Sequence, residues 1–478
     1  MSSEISVNSP FILKGEGILE IVDGSVEFFG YLLKSGDKIR VPRGRMFPFL
    51  VRDSVRIIVR GGKLILPKAE IFPTEWFEFF ELVAQKISAV DKKPFIIMVI
   101  GYIDVGKSSF ILYFTNLLTR KGLRVGIIDA DIGQSKIGPP GVIGGGVTER
   151  PILDVSDVSD FHGYFIGDKS PPGHLLQCVV GIKKVLDKLR DLCDVVLIDT
   201  TGLVFGGSGL ALKLAKIEIL DPSLIVLLEK GRECEHIFRV LKNIAEVIRL
   251  PAPKHIVATS REARIFLREL SFKKFISSVC VKEISLSFDE VSLHNVILGS
   301  GIPITNAKRI FSHNVKWAEL SPNGFLIIVQ QDSIHEDKDK IINTARKFLI
   351  SLKTLYLTSE LKMISIEEIK KSPLFSGLGD DEIINLSRIL IRRRPEEIPI
   401  AVLPDDYYNN LYVGLLQADL DLVGIGIIKR IDFKQRKITL KVALKEGCTI
   451  NDIRAIKVGY LRLTDDWKEI GKRKVGVG

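Results

Sequence analysis

Phe95-Ile96-Ile97-Met98-Val99-Ile100-Gly101-Tyr102-Ile103-Asp104-Val105-Gly106-Lys107-Ser108-Ser109 passes from an unbroken apolar run to a glycine-bounded turn and then to Lys-Ser-Ser. A run without polar alternation is a strand buried on both faces, the kind a parallel sheet uses. Gly101–Ser108 matches G-x-x-x-x-G-K-[ST]. Its glycines let backbone N–H groups curl round phosphate oxygens, and the N-terminus of the following helix adds a favourable dipole. Lys107 offers a mobile charge to the β- and γ-phosphates, and Ser108 offers a hydroxyl to Mg²⁺. Gly101, Tyr102, Ile103, Asp104, Val105, Gly106, Lys107, Ser108 and Ser109 are therefore the candidate nucleotide-binding residues. The bland alternative is a chance match on a Gly-rich turn. The apolar helix expected from Ser108 to about Arg120 argues against it.

Outward from this turn, Val125–Ile128 and Val195–Ile198 read as further buried strands, with Leu224–Leu228 and His255–Ala258 as a fourth and fifth. Helical stretches over Leu175–Leu192 and Glu233–Arg249 separate them. Alternating buried strands and helices predict an α/β fold with a parallel sheet.

Two of these strands end in acid. Asp129 follows Val125–Ile128, at the strand end where open α/β sheets place ligands. Its carboxylate either takes a proton from a substrate hydroxyl or orients Mg²⁺-bound water, and Asp131 has the same two options. Gln134 would orient a water or a metal-bound ligand. Asp199 ends Val195–Ile198 as a Walker B acid does, reaching Mg²⁺ directly or through water. Gly202 and the later Gly206-Gly207-Ser208-Gly209 follow, either as a flexible backbone surface for a second phosphate chain or simply as a loop.

Arg261, Arg264 and Arg268 are spaced i, i+3, i+7, one stripe on a helix. Arginines on a mobile segment stabilise the charge that develops on a transferring phosphoryl group, and a closing lid excludes water. A solvated helix face is the plain alternative for the same pattern.

Residues 1–85 carry short strand-like pieces (Ile12–Leu13, Ile18–Ile21, Val26–Phe29, Lys38–Val41, Val55–Val59) punctuated by glycine. They predict a small β-sandwich, followed by an amphipathic helix over Pro73–Lys92. Residues 286–478 mix a charged helical segment (Ser333–Asn385) with strands at Asn410–Val413, Leu422–Ile431 and Lys437–Val442. The expected plan is an N-terminal β domain (1–85), a P-loop domain (86–285) and a C-terminal β-rich α+β domain (286–478). The 478 residues, 46% hydrophobic and 26% charged, are ordinary globular usage. The net charge of +10 permits a polyanionic partner without demanding one. Five dispersed cysteines make a poor disulfide framework. With no apolar run near a bilayer span and no signal-peptide pattern at Met1, we expect no membrane and the cytoplasm, or the nucleus in a eukaryote.

Taken in order, the loop Gly101–Ser108, the run Asp129-Ala130-Asp131-Ile132-Gly133-Gln134, the segment Gly167-Asp168-Lys169-Ser170-Pro171, the turn Asp199-Thr200-Thr201-Gly202 and the arginine stripe resemble the polynucleotide 5′-hydroxyl kinases. These are the RNA kinases of tRNA splicing, mRNA 3′-end cleavage and rRNA processing. The resemblance extends, more weakly, over both flanks. It implies transfer of the γ-phosphate of ATP, with Mg²⁺, to the 5′-OH end of RNA, with DNA ends also open, and RNA-processing proteins as partners. It implies Lys107 on the phosphates, Ser108 on the metal and Asp129 as general base with Asp131 and Gln134 in support. Thr201 and Gly202 would clasp the RNA end, and Arg264 and Arg268 would be lid arginines, with Arg261 able to replace either. The family continues the clasp with Trp, a ring that stacks on a base. Leu203 stands there in this chain, so another aromatic such as Phe205 takes that role or the end is gripped less firmly. Substitution of Arg264 or Arg268 is expected to lower turnover more than ATP affinity. The alternative is an ATP-binding, catalytically silent scaffold of an RNA-processing complex. A GTPase is disfavoured because no Asn/Thr-Lys-x-Asp element occurs, and a deviant-Walker ATPase because Tyr102 stands where its second lysine belongs.

Overall fold

A computed structural model describes residues 3–68, 70–90, 93–256, 259–360, 367, 371–375 and 377–473. The chain divides into two compact units, Met1–Phe275 and Ile276–Gly478.

The first unit opens with β1 (Ser3–Val7), β2 (Phe11–Asp23), β3 (Ser25–Phe28), β4 (Tyr31–Lys34), β5 (Lys38–Val41), β6 (Met46–Phe49) and β7 (Val55–Ile65). One sheet runs β1-β7-β2-β5 with β6 against β2, and β3-β4 forms a separate hairpin. Phe28 of the hairpin lies 5.5 Å, ring to ring, from Phe49, which stacks on Phe11 at 5.0 Å. That shared aromatic core makes the pair of sheets a small sandwich. The pieces expected at 12–13 and 18–21 are two parts of one long strand, β2. Helix α1 (Thr74–Ala89) follows within the span expected for it, residues 91–92 lying outside the described ones. Its buried Trp76 donates Nε1–H to the Pro251 carbonyl at 2.9 Å, and Phe72 stacks on Tyr113 at 4.8 Å. One hydrophobic core therefore runs from the N-terminal strands into the next layer.

That layer holds β8 (Phe95–Ile100), α2 (Lys107–Arg120), β9 (Val125–Ala130), β10 (Val142–Thr148), β11 (Ser159–Phe165), α3 (Leu175–Leu189), β12 (Val195–Thr200), α4 (Gly206–Leu220), β13 (Leu224–Glu229), α5 (Glu235–Leu241), β14 (Val247–Pro251) and α6 (Arg261–Ser277). The sheet order is β11-β10-β9-β12-β8-β13-β14. From β9 to β14 every pairing is parallel, as the apolar runs predict. Two departures qualify the expected parallel sheet. First, β10 and β11 pair antiparallel at one edge, making the sheet mixed. Second, the fifth parallel strand is β14, which begins within the last three residues of the stretch read as a helix, whereas His255 and Ile256 lie in a turn region and 257–258 fall outside the described residues. Val247-Ile248 are β-branched and Pro251 ends the run, so a short strand outcompetes another helical turn.

The second unit carries a sheet ordered Cys280–Ser287, Lys437–Leu444, Leu422–Asp432, Leu411–Leu416, Ala455–Leu463 and Ser292–His294, with Glu469–Lys472 against Ala455–Leu463. A second sheet joins Ile302–Pro303, Val315–Ser321, Gly324–Val329 and Ile400–Pro404. The charged segment expected at 333–385 contains helices Ile334–Glu360 and Asp380–Ile389; its residues 361–366, 368–370 and 376 lie outside the described ones. Among the described residues no helix is long and apolar enough to cross a membrane.

Candidate active site

The nucleotide loop forms where β8 hands over to α2. Gly106 turns it at φ +95°, and a Cβ there would stand 2.4 Å from Ile256 Cδ1, so only glycine fits. Asp104 also takes a left-handed φ of +56°, which aspartate tolerates better than most side chains. Lys107 is buried, and its Nζ donates to the Tyr102 carbonyl at 2.9 Å, curled inside the loop. Gly101, Val105 and Ser109 complete the turn and the first turn of α2.

Strand register brings the acids together. β12 lies between β8 and β9, and Asp199 is the direct cross-strand partner of Asp129 at the C-terminal end of the sheet. Ser108 Oγ donates to Asp199 Oδ2 at 2.6 Å. Asp199 Oδ1 is buried with no hydrogen-bond partner among the described residues. An orphaned carboxylate oxygen beside the loop hydroxyl suits Mg²⁺, which takes one or two protein oxygens and completes its shell with phosphates and water. No group of three His, Cys, Asp or Glu suited to a metal occurs among the described residues, so an all-protein cage is not what this site offers.

Asp129 is buried. Its Oδ1 accepts the Asp131 backbone N–H at 3.0 Å, and its Oδ2 accepts that of Lys136 at 2.6 Å. Burial, reinforced by the negative charges of Asp199 and Asp131, pushes the Asp129 carboxyl up to about 7 against those two hydrogen bonds. Asp131 is also raised, by burial first, with Lys107 opposing; its Oδ1 accepts the Gly133 N–H at 3.3 Å. Gln134 is folded back: its Nε2 donates to the Gly133 carbonyl at 2.8 Å and faces the Arg264 carbonyl at 3.5 Å.

Thr201 and Gly202 press on the nucleotide loop, since a Cβ at Gly202 would stand 2.9 Å from the Ile103 backbone nitrogen. Lys213 of α4, fully buried, donates to Thr200 Oγ1 at 2.8 Å and to the Thr201 carbonyl at 2.6 Å, pinning this turn from behind. Its ammonium is held well below the usual lysine range, by burial first and then by Lys216 and Lys107. Lys216, one turn on and also buried, has no hydrogen-bond partner for Nζ among the described residues. Both lysines escape motif reading, yet a signal exists: they share one face of an apolar helix with Leu212, Ile217 and Leu220. Asp168 and His174, both buried, pair at 3.1 Å, and the Lys169 carbonyl lies close to Gly133, so the 167–170 segment buttresses the carboxylate loop.

On the outer side of the Thr201-Gly202 turn, Phe205 is 50% exposed and its ring lies 4.9 Å from that of Tyr102, itself 40% exposed. Leu203 is half-buried, so the exposed ring is two residues beyond the position at which the resemblance expects one.

The three arginines do lie on one helix, α6. Arg261 is exposed and Arg268 half-buried. Arg264 does not reach into an open site: its Nη2 donates to Asp104 Oδ2 at 2.7 Å.

Residues 101–278 match the family described as the mRNA cleavage and polyadenylation factor CLP1 P-loop. A polyribonucleotide 5′-hydroxyl-kinase of Pyrococcus abyssi is 29% identical over 391 residues, spanning 82% of this chain and 93% of the relative. That of Methanocaldococcus jannaschii is 25% identical over 382 residues, spanning 80% and 90%. The solved structure of Clp1p in complex with Pcf11p superimposes with a TM-score of 0.61 over 97% of this chain and 98% of that one, at 11% identity, a likeness of fold. A Clp1-type P-loop match over residues 101–278, within a chain that resembles polyribonucleotide 5′-hydroxyl-kinases over about four-fifths of its length, supports the polynucleotide 5′-hydroxyl kinase family for this protein.

Proposed function

We propose that this protein transfers the γ-phosphate of ATP to the 5′-hydroxyl of RNA. The observation that carries the reading is the register pair Asp129–Asp199: one strand end offers a buried acid near neutrality, and its neighbour offers an acid bonded to the P-loop serine. Asp129 accepts the proton of the attacking hydroxyl. Each of its oxygens takes one backbone N–H, which fixes its orientation and leaves lone pairs for the substrate. Lys107 releases the Tyr102 carbonyl to hold phosphate oxygens, cradled with the backbone of Gly101–Ser109. Ser108 and Asp199 would hold Mg²⁺, which when bound neutralises charge on the phosphates. Asp131 and Gln134 shape the loop around the base. Thr201 and Gly202, fixed by Lys213 and by contact with Ile103, form the clasp for the RNA end. Phe205, tilted against Tyr102, offers the base-stacking face that Leu203 does not. Arg268, with Arg261, approaches the transferring group from α6.

The division at 85 and 285 is proposed as a division of tasks, with the chemistry in 86–285 and RNA-processing proteins docking on the outer domains. The decisive experiment offers a γ-labelled ATP and a 5′-OH oligoribonucleotide to the wild-type protein and to the Lys107→Ala and Asp129→Ala variants. Label transfer by the wild type alone is expected. ATP binding without transfer by the wild type would leave the scaffold reading in its place.

A further inference from the structure

The segment after β14 lies directly on the nucleotide loop. Ile256 fills the space beside Gly106, and beyond it Thr259 and the first turns of α6 converge on one side chain, Asp104. Asp104 Oδ2 accepts the Thr259 backbone N–H at 3.0 Å and Arg264 Nη2 at 2.7 Å, while Oδ1 accepts the Thr259 hydroxyl at 3.2 Å. Asp104 is held at φ +56° while making all three contacts. Its side chain is 19% exposed and that of Arg264 30%, so the pair is only partly screened by water.

A carboxylate inside a triphosphate-binding loop is electrostatically misplaced. Its charge opposes the ligand that the loop's N–H groups and Lys107 attract. We propose that Arg264 is a positioning residue that serves as the counter-ion of Asp104, latching the lid helix to the loop and cancelling that repulsion. The field of Arg45 also reaches Asp104, but no hydrogen bond joins them among the described residues. This assignment separates Arg264 from Arg268. Arg264 acts on nucleotide affinity through Asp104, whereas Arg268 keeps the transition-state role. It also reverses the expectation drawn for Arg264 from the arginine stripe alone, that turnover would suffer more than ATP affinity.

The inference rests on a nucleotide occupying Gly101–Ser109, and its test reads binding rather than transfer. Equilibrium titration with mant-ATP and Mg²⁺ would compare the full-length wild type, Arg264→Met, Asp104→Asn and the double variant, each checked by thermal melt. Methionine keeps the apolar stem of the arginine, and asparagine keeps an acceptor for Thr259 and tolerates the positive φ. Arg264→Met is expected to weaken binding by roughly tenfold, within the usual range for coupled charges. Asp104→Asn should bind at least as tightly as wild type. The double variant should return to within about twofold of wild type, because no bare carboxylate remains. Arg268→Ala should lower turnover and leave mant-ATP affinity in place. Additive effects, an Arg264→Met variant that binds normally, or weakened binding by Asp104→Asn alone would each overturn the latch. A wild-type protein that binds no mant-ATP would overturn both this inference and the kinase reading.

Discussion

Acidification should switch off phosphoryl transfer through one proton on Asp129. That carboxyl is pushed from 3.8 to about 7, by burial first and by Asp199 and Asp131 after it, against two backbone hydrogen bonds. Only the ionised form can take the proton of the 5′-hydroxyl. With a midpoint near 7, roughly a tenth of the protein is competent one pH unit lower and roughly a hundredth two units lower. The value of kcat/KM for a 5′-OH oligoribonucleotide should therefore climb about tenfold per pH unit on the acid side and level off above neutrality. Single-turnover transfer from γ-labelled ATP, at constant ionic strength, measures it. Asp129→Asn should abolish transfer at every pH. Asp131→Asn should move the break toward lower pH, because it removes a like charge that holds the Asp129 proton on. The stability of the nucleotide-free protein carries the same proton with its own sign. Between the unfolded value of 3.8 and the native value of about 7 the folded chain keeps a proton that the unfolded chain gives up. Unfolding free energy contributed by this group therefore falls as pH rises through that window. A pH–rate profile flat across the acid limb refutes the assignment of Asp129 as the base.

Other substitutions separate the parts of the site. Lys107→Ala should abolish transfer and weaken mant-ATP binding, since its amine is the loop's only side-chain cation among Gly101–Ser109. Phe205→Ala should raise the KM for RNA roughly fivefold or more, the scale of one lost base stack, and leave the KM for ATP unchanged; Phe205→Trp should lower the RNA value. Lys213→Met leaves the buried Thr201 carbonyl without its donor, so urea unfolding should show a loss of about 1–3 kcal/mol, with RNA affinity falling more than ATP affinity. RNA affinity should fall with added salt because backbone contacts release counterions, and a flat response would count against a groove that tracks the RNA backbone.

The nucleotide loop was legible because the signals on either side of it agree. The six apolar residues of β8 cannot be solvated, the glycines stand where the turn needs them, and the helix that follows is apolar on its inner face. The strand ends at Asp129 and Asp199 were legible for the same reason. What the letters hid was pairing. β10 reads Val142-Ile143-Gly144-Gly145-Gly146-Val147-Thr148, whose three central glycines are depleted in strands, and its neighbours β9 and β11 make it one. β14 is five residues long and follows a helical pattern with no glycine or proline between, so periodicity alone could not separate strand from helix.

At the site, residue types were legible and their states were not, because protonation follows burial and neighbours rather than identity. The proposed role of Asp129 as base rests on a closed environment in which burial, Asp199 and Asp131 keep its proton near neutrality while the Lys136 and Asp131 backbones orient it. Lys213 makes the converse case. Read as a helical lysine it is a solvated charge, but folded it is an interior donor whose two bonds hold the Thr200-Thr201 turn from behind. Arg264 completes the argument. Its place on the helix was correctly read from the i, i+3, i+7 spacing, yet its partner, Asp104, lies 160 residues away and became visible only when the connection after β14 folded over the loop. Spacing along one element gives the direction in which a charge points. Which charge it meets depends on long-range topology, and that meeting decides whether an arginine serves the transition state or the ground state.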